Sequence, residues 1–112
     1  GIRILDDSYN ANPISVAAAL RTVADMPAKR RFAVLGVMAE VLDSDVAHQE
    51  IATLCQQLGI ELLALETDLY GTDALSLADV ASNLIGLDSN TVVLVKGSRV
   101  AATERVVQEL TA

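Results

Sequence analysis

Apolar residues along this 112-residue chain follow two patterns that take turns. Short unbroken apolar runs are the mark of strands buried on both faces, and apolar positions spaced by three and four mark helices with one buried face. Ile2-Arg3-Ile4-Leu5 reads as a buried strand, Phe32-Ala33-Val34-Leu35 as one buried on both faces, and Ile60 to Leu65 and Thr91 to Val95 as further strands. Between the first two, from about Pro13 to Met26, Val16, Leu20 and Val23 share a helical face. Met26-Pro27 stops that helix, because the residue before a proline avoids helical geometry. A second helix, capped by Ser44 or Asp43, carries Ala47, Ile51, Leu54 or Cys55, and Leu58, with Gly59 as its stop. Ser76-Leu77-Ala78-Asp79 is a capping pair that opens a third helix through Leu84, closed by Gly86. A last helix follows Arg99, with Thr103, Val107 and Leu110 on one face. Asp68 to Asp73 reads as loop, short edge strand, or both.

This alternation predicts one α/β domain over residues 1–112. Its Rossmann-like, mostly parallel sheet has about five or six strands, helices on both faces and right-handed crossovers. Strand order is not legible in one sequence. In such a sheet the carboxyl ends of the strands share one edge, where open α/β sheets bind ligands.

Composition narrows the partners. The net charge of −7 argues against nucleic acid, which asks for a basic patch. No apolar run approaches the ~20 residues of a membrane span, and no signal peptide is visible. Cys55 and His48 are each the sole residue of their kind, so a Cys/His zinc site and an internal disulfide are excluded. A lone cysteine in an apolar helix reads as a core residue in a reducing cytoplasm. Lys29-Arg30-Arg31 reads as a solvated strand entrance.

Three strand exits carry the candidate chemistry. Asp6-Asp7-Ser8-Tyr9-Asn10-Ala11-Asn12-Pro13 joins the first strand to the first helix. Its acids can face a cation or a ribose, and Asn12 at the N-cap with Pro13 at N1 leaves free N–H groups for an anion. Capping and turn chemistry alone would explain the same asparagines. Gly36 to Glu40 leaves the second strand. Lys96-Gly97-Ser98-Arg99 leaves the last, with two of only eight basic residues bracketing a glycine at a helix start. Arg99 could fork onto a carboxylate, and an ordinary turn with two solvated cations is the plainer alternative.

Asp6 to Pro13 with Ser15, and Val93-Leu94-Val95-Lys96-Gly97-Ser98-Arg99, closely resemble the two ends of the C-terminal domain of the Mur ligases. Val34-Leu35-Gly36, Met38-Ala39-Glu40 and His48 are similar to its middle loop and helix, so the resemblance spans nearly the whole chain. It implies a cytoplasmic, ATP- and Mg²⁺-dependent amide ligase of peptidoglycan synthesis that acts on UDP-N-acetylmuramoyl-tripeptide and D-alanyl-D-alanine. The family's three domains include a central one with the P-loop. No G-x-x-x-x-G-K-[ST] occurs here, so the chain is expected to be an isolated C-terminal domain, inactive by itself. By position, the resemblance puts Asp7, Tyr9 and Asn10 toward the nucleotide and Asn12, Ser15, Lys96, Ser98 and Arg99 toward the dipeptide. It gives this domain no catalytic residue and no metal ligand. Two departures stand out: the family usually has an acid where Val37 stands, and glycines near Glu66 and Asp43. No role is carried onto Val37.

Two other classes compete. A receiver-type phosphoacceptor domain would use Asp6, Asp7 and Lys96, but Leu65-Glu66-Thr67 intervenes before Asp68, where an acceptor would close strand three. A mononucleotide-binding module would need a glycine-rich turn after strand one, and none is there.

Overall fold

The computed structural model describes residues 2–7, 12–38 and 43–97, with only the backbone of Asp6 and Asp7. The elements run β1 (Arg3–Asp7), α1 (Pro13–Asp25), β2 (Arg30–Leu35), α2 (Ser44–Leu58), β3 (Glu61–Ala64), α3 (Leu77–Leu84) and β4 (Thr91–Lys96). All pairings are parallel, in the order β1-β4-β2-β3. The expected parallel α/β sheet is therefore present, with four strands among the described residues rather than five or six. Asp68 to Asp73 adds none: beyond β3 there is a single parallel bridge, Leu65 to Leu75. The last predicted helix lies outside the described residues.

Period-two alternation divides the sheet between two cores. Ala33, Leu35, Val92 and Leu94 pack under α1 and α2 with Val16, Leu20, Val23, Ala47, Ile51 and Cys55. Phe32, Val34, Val93 and Val95 face the other way, against Val80 and Leu84 of α3. β4, a strand where the sequence predicts one, proves central and wholly buried. Ile2 to Leu5, expected as a buried strand, is only half-buried because β1 forms the sheet's edge.

Helix ends follow their predicted chemistry with one exception. Asn12 and Ser15 form a reciprocal capping box on α1, and Ser76 and Asp79 another on α3. Gly59 adopts φ +71, and Ile60 N–H bonds Cys55 O at 2.9 Å in a Schellman-type stop. At the start of α2, however, Asp43 sits left-handed at φ 50 and its side chain caps nothing. Glu66 is also left-handed, at φ 58. These are the two places near which the family resemblance expects glycine, the residue that enters this region without steric cost.

The basic cluster Lys29-Arg30-Arg31 at the start of β2 is not simply solvated. Arg30 forks onto Glu61, Nε to Oε2 at 3.0 Å and Nη2 to Oε1 at 2.8 Å, and lies over the Phe32 ring. Arg31 donates to Val23 O at 3.2 Å and Met26 O at 2.6 Å, at the carboxyl end of α1. Lys29 keeps the expected exposure.

Candidate functional site

Register settles whether the three strand exits converge. Asp7 of β1 pairs with Lys96 of β4, and Lys96 pairs with Leu35 of β2. The exits therefore leave side by side, across about 10 Å at the usual strand spacing. The three strand ends share one edge, as expected from a parallel sheet, and the exits beyond Asp7, Met38 and Gly97 lie outside the described residues.

The residues within them fare differently. Asn12 is exposed and Ser15 half-buried, and their polar atoms serve the helix. Asn12 Oδ1 accepts from Ser15 N–H at 2.9 Å, while Ser15 Oγ lies 3.3 Å from Asn12 N and 3.2 Å from Asn12 O. Lys96 is 2 % exposed, the largest of the fully buried side chains, so the solvated-cation alternative does not hold for it. It follows Val92 and Leu94 in the alternation, which places it on the α1/α2 side of the sheet. Of Asp7 the structure fixes the backbone. Tyr9, Asn10, Ser98 and Arg99 lie outside the described residues.

The middle exit holds what sequence reasoning missed. Gly36 N–H continues the ladder to Lys96 O at 3.1 Å. Gly36 O then accepts from the Tyr70 hydroxyl at 2.7 Å. Two residues on, Met38 N–H donates to His48 Nε2 at 2.9 Å. His48 Nδ1 lies 2.6 Å from Ser44 O, which can only accept. Nδ1 therefore carries the proton and Nε2 the lone pair, because the Met38 amide can only donate. The two rings meet edge to face at 4.8 Å. Burial, reinforced by the Cys55 thiol nearby, pushes the Tyr70 phenol above its ordinary value and keeps it a donor.

One signal for His48 was available. Ser44, His48, Ile51 and Cys55 fall at i, i+4, i+7 and i+11, so the histidine shares the buried face of α2. Tyr70 had no such signal, because it sits in the irregular stretch between β3 and α3.

No metal centre is assembled: among the described residues no three His, Cys, Asp or Glu side chains cluster. A hollow of about 550 Å³ lies beside α2 and β3, lined by residues including Gln49, Thr53, Gln56, Tyr70 and Thr72. Of the expected site residues whose side chains the structure describes, Asn12, Ser15 and Lys96, none lines it. Asp68 is exposed in the loop beyond β3, where Leu65 and left-handed Glu66 separate it from the strand end. That is not the position of a receiver's acceptor aspartate.

Comparison with known proteins bears on the whole chain. Residues 1–112 match the family described as "Mur ligase, glutamate ligase domain". The UDP-N-acetylmuramoyl-tripeptide–D-alanyl-D-alanine ligase of Escherichia coli K12 is 35% identical over 96% of this chain and 26% of its own length. The ligase of the same name from Mycobacterium leprae is 31% identical over 88% of this chain and 25% of its own. A crystal structure of MurF ligase from Thermotoga maritima in complex with ADP superposes with TM-score 0.78 at 27% identity, covering 94% of this chain and 27% of that one. The chain thus spans about a quarter of the length of the curated relatives it matches. The receiver alternative finds no support in these matches.

Proposed function

Since this chain belongs to the family of Mur ligase C-terminal domains, matched over residues 1–112, we propose that it serves the ligase that joins D-alanyl-D-alanine to UDP-N-acetylmuramoyl-tripeptide. The carrying observation is the 35% identity to the ligase of that activity along 96% of the chain. In this reading residues 1–112 are the C-terminal one of three domains, working in the cytoplasm where the nucleotide precursor is made. Peptidoglycan synthesis then ties the protein to cell-wall biogenesis, cell shape and division.

The domain's part is closure. ATP and Mg²⁺ are held mainly by the central domain; this sequence carries no P-loop motif of its own. Closing brings the carboxyl edge of the sheet over the nucleotide, excludes water and positions the attacking amine. Asp7, Tyr9 and Asn10 take the nucleotide side. Asn12, Ser15, Lys96, Ser98 and Arg99 take the dipeptide side, and no group of this domain performs the chemical step. For Asn12 and Ser15 the role runs through the end of α1 that they cap together.

The division is tested in a three-domain ligase carrying this domain. Arg99→Ala removes a carboxylate partner worth roughly 1.5–3 kcal/mol, a loss of ten- to a hundredfold in kcat/KM for the dipeptide. The KM for ATP should stay nearly unchanged, and Tyr9→Ala should show the reverse. An Arg99→Ala enzyme that weakens ATP and spares the dipeptide would refute the assignment. The 112-residue chain alone should release no phosphate from ATP.

A further inference from the structure

Two rings from different parts of the fold converge on the backbone where β2 ends. Strand pairing stops at Leu35, with Gly36 N–H as its last contribution. The next groups that need partners, Gly36 O and Met38 N–H, belong to buried residues, so water cannot serve them readily. Tyr70 supplies the donor for the first at 2.7 Å and His48 the acceptor for the second at 2.9 Å. Phenylalanine at both positions would fill much the same space and keep an edge-to-face contact. Only the polar atoms distinguish the residues that stand there, and each is aimed at a backbone group of one segment.

We propose that His48 and Tyr70 are positioning residues: together they hold the Gly36–Met38 segment in one conformation and so fix how the chain leaves β2 beside Lys96. Lys96 is coupled directly, because its carbonyl receives Gly36 N–H at 3.1 Å. The histidine can hold Met38 in only one tautomer, and Ser44 O selects that tautomer at 2.6 Å. A buried polar network of this kind specifies a single backbone arrangement more sharply than apolar packing does. The consequence for turnover rests on the ligase reading, while the geometry does not.

The test uses His48→Phe, which keeps the ring volume, and His48→Gln, whose amide oxygen can reach the place of Nε2. In the 112-residue chain, nitrogen NMR should find the Nδ1-protonated ring, and Met38 N–H should exchange slowly. His48→Phe should speed that exchange at least about tenfold, and His48→Gln should restore most of the protection. An Nε2-protonated ring, or a Met38 amide indifferent to either change, overturns the clamp. In the three-domain ligase, His48→Phe should lower kcat about tenfold with KM for ATP within about twofold, and His48→Gln should recover most of it. If both variants lose kcat equally, in step with their melting temperatures, the role is structural only and the proposal falls. A wild-type enzyme with no ligase activity would instead strike the ligase reading, and the tautomer and exchange data would still decide the clamp.

Discussion

The two ends of the sheet are built from different chemistry. At the amino end, arginines from β1 and β2 reach across to neighbouring elements. Arg3 bonds Pro27 O, Arg31 serves Val23 O and Met26 O, and Arg30 forks onto Glu61. The last turn of α1 has no basic residue of its own, so the adjacent strand supplies the cation its terminal carbonyls favour. Most of these groups are exposed or half-exposed, and water can replace what they donate. At the carboxyl end, among the described residues, stand three buried polar side chains: His48, Tyr70 and Lys96 are at most 2 % exposed. There a lost hydrogen bond strands its partner, which costs more than the bond contributed. The difference separates charge that ties elements together from polar groups that set backbone geometry at the edge where open α/β sheets bind their ligands.

Sharpening that contrast begins with the layer between the two ends, which must be dry. Cys55 reports on it. Burial pushes its thiol from 9.0 up to about 12, against a small opposing hydrogen bond from its own backbone. Three units mean about a thousandfold less thiolate at neutral pH. Alkylation by iodoacetamide at pH 8 should therefore be slower by at least that factor in the folded chain than in urea. Because only the protonated thiol suits the folded interior, its contribution to stability is complete below pH 9.0 and is lost as pH rises through about 12. Equal alkylation rates in the two states would show that water reaches the core.

The next effect in size belongs to the carboxyl end. Tyr70→Phe deletes one oxygen and leaves Gly36 O buried without its donor, a destabilisation of about 1–2 kcal/mol. Arg31→Ala at the other end should cost less, since the helix-end carbonyls it frees can turn toward solvent. Chemical denaturation of both variants measures the pair directly. A larger loss for Arg31→Ala would erase the contrast between the ends.

Legibility in the sequence follows the same line. α1, α2, α3 and β4 announce themselves through periodicity and through caps at Asn12, Gly59 and Ser76, because each of those signals is local. The edge position of β1 is not local: Arg3 in an apolar run was its only trace, and strand order decides it. Asn12 was read correctly as an N-cap, whereas its capping box spends the side-chain oxygen on Ser15 N–H. Lys96 looked like a turn cation and proves buried, since a side chain at the end of a central strand takes its burial from the helices above it. The clamp was invisible because Tyr70 lies 34 residues from the Gly36 carbonyl it serves, in a stretch without periodicity.

A smaller and opposite effect is expected at the same edge. Glu66 holds φ 58 just past β3, a region that costs non-glycine residues roughly 1 kcal/mol or more. Glu66→Gly relieves that strain but adds freedom to the unfolded chain, for a net gain of about 0.5 kcal/mol. Asp43→Gly should gain less, because aspartate tolerates φ 50 better. If Glu66→Gly destabilises instead, the interactions of the Glu66 side chain outweigh the strain.

The smallest effect should come from the most conspicuous contact at the amino end. Arg30 and Glu61 make two good hydrogen bonds, and burial opposes the rise in the guanidinium pKa that the carboxylate causes. Their side chains are nonetheless 49% and 50% exposed. Salt screens charges in that position, and holding two long side chains in one geometry costs entropy. A double-mutant cycle through Arg30→Ala, Glu61→Ala and the double variant should give a coupling near the error of the measurement, vanishing in 1 M salt. Arg30→Ala should cost slightly more than Glu61→Ala, since it also uncovers the Phe32 ring beneath the guanidinium. A strong coupling that persists in salt would mean that the amino end, too, depends on charge held in a fixed geometry, and the division between the two ends would then be one of degree.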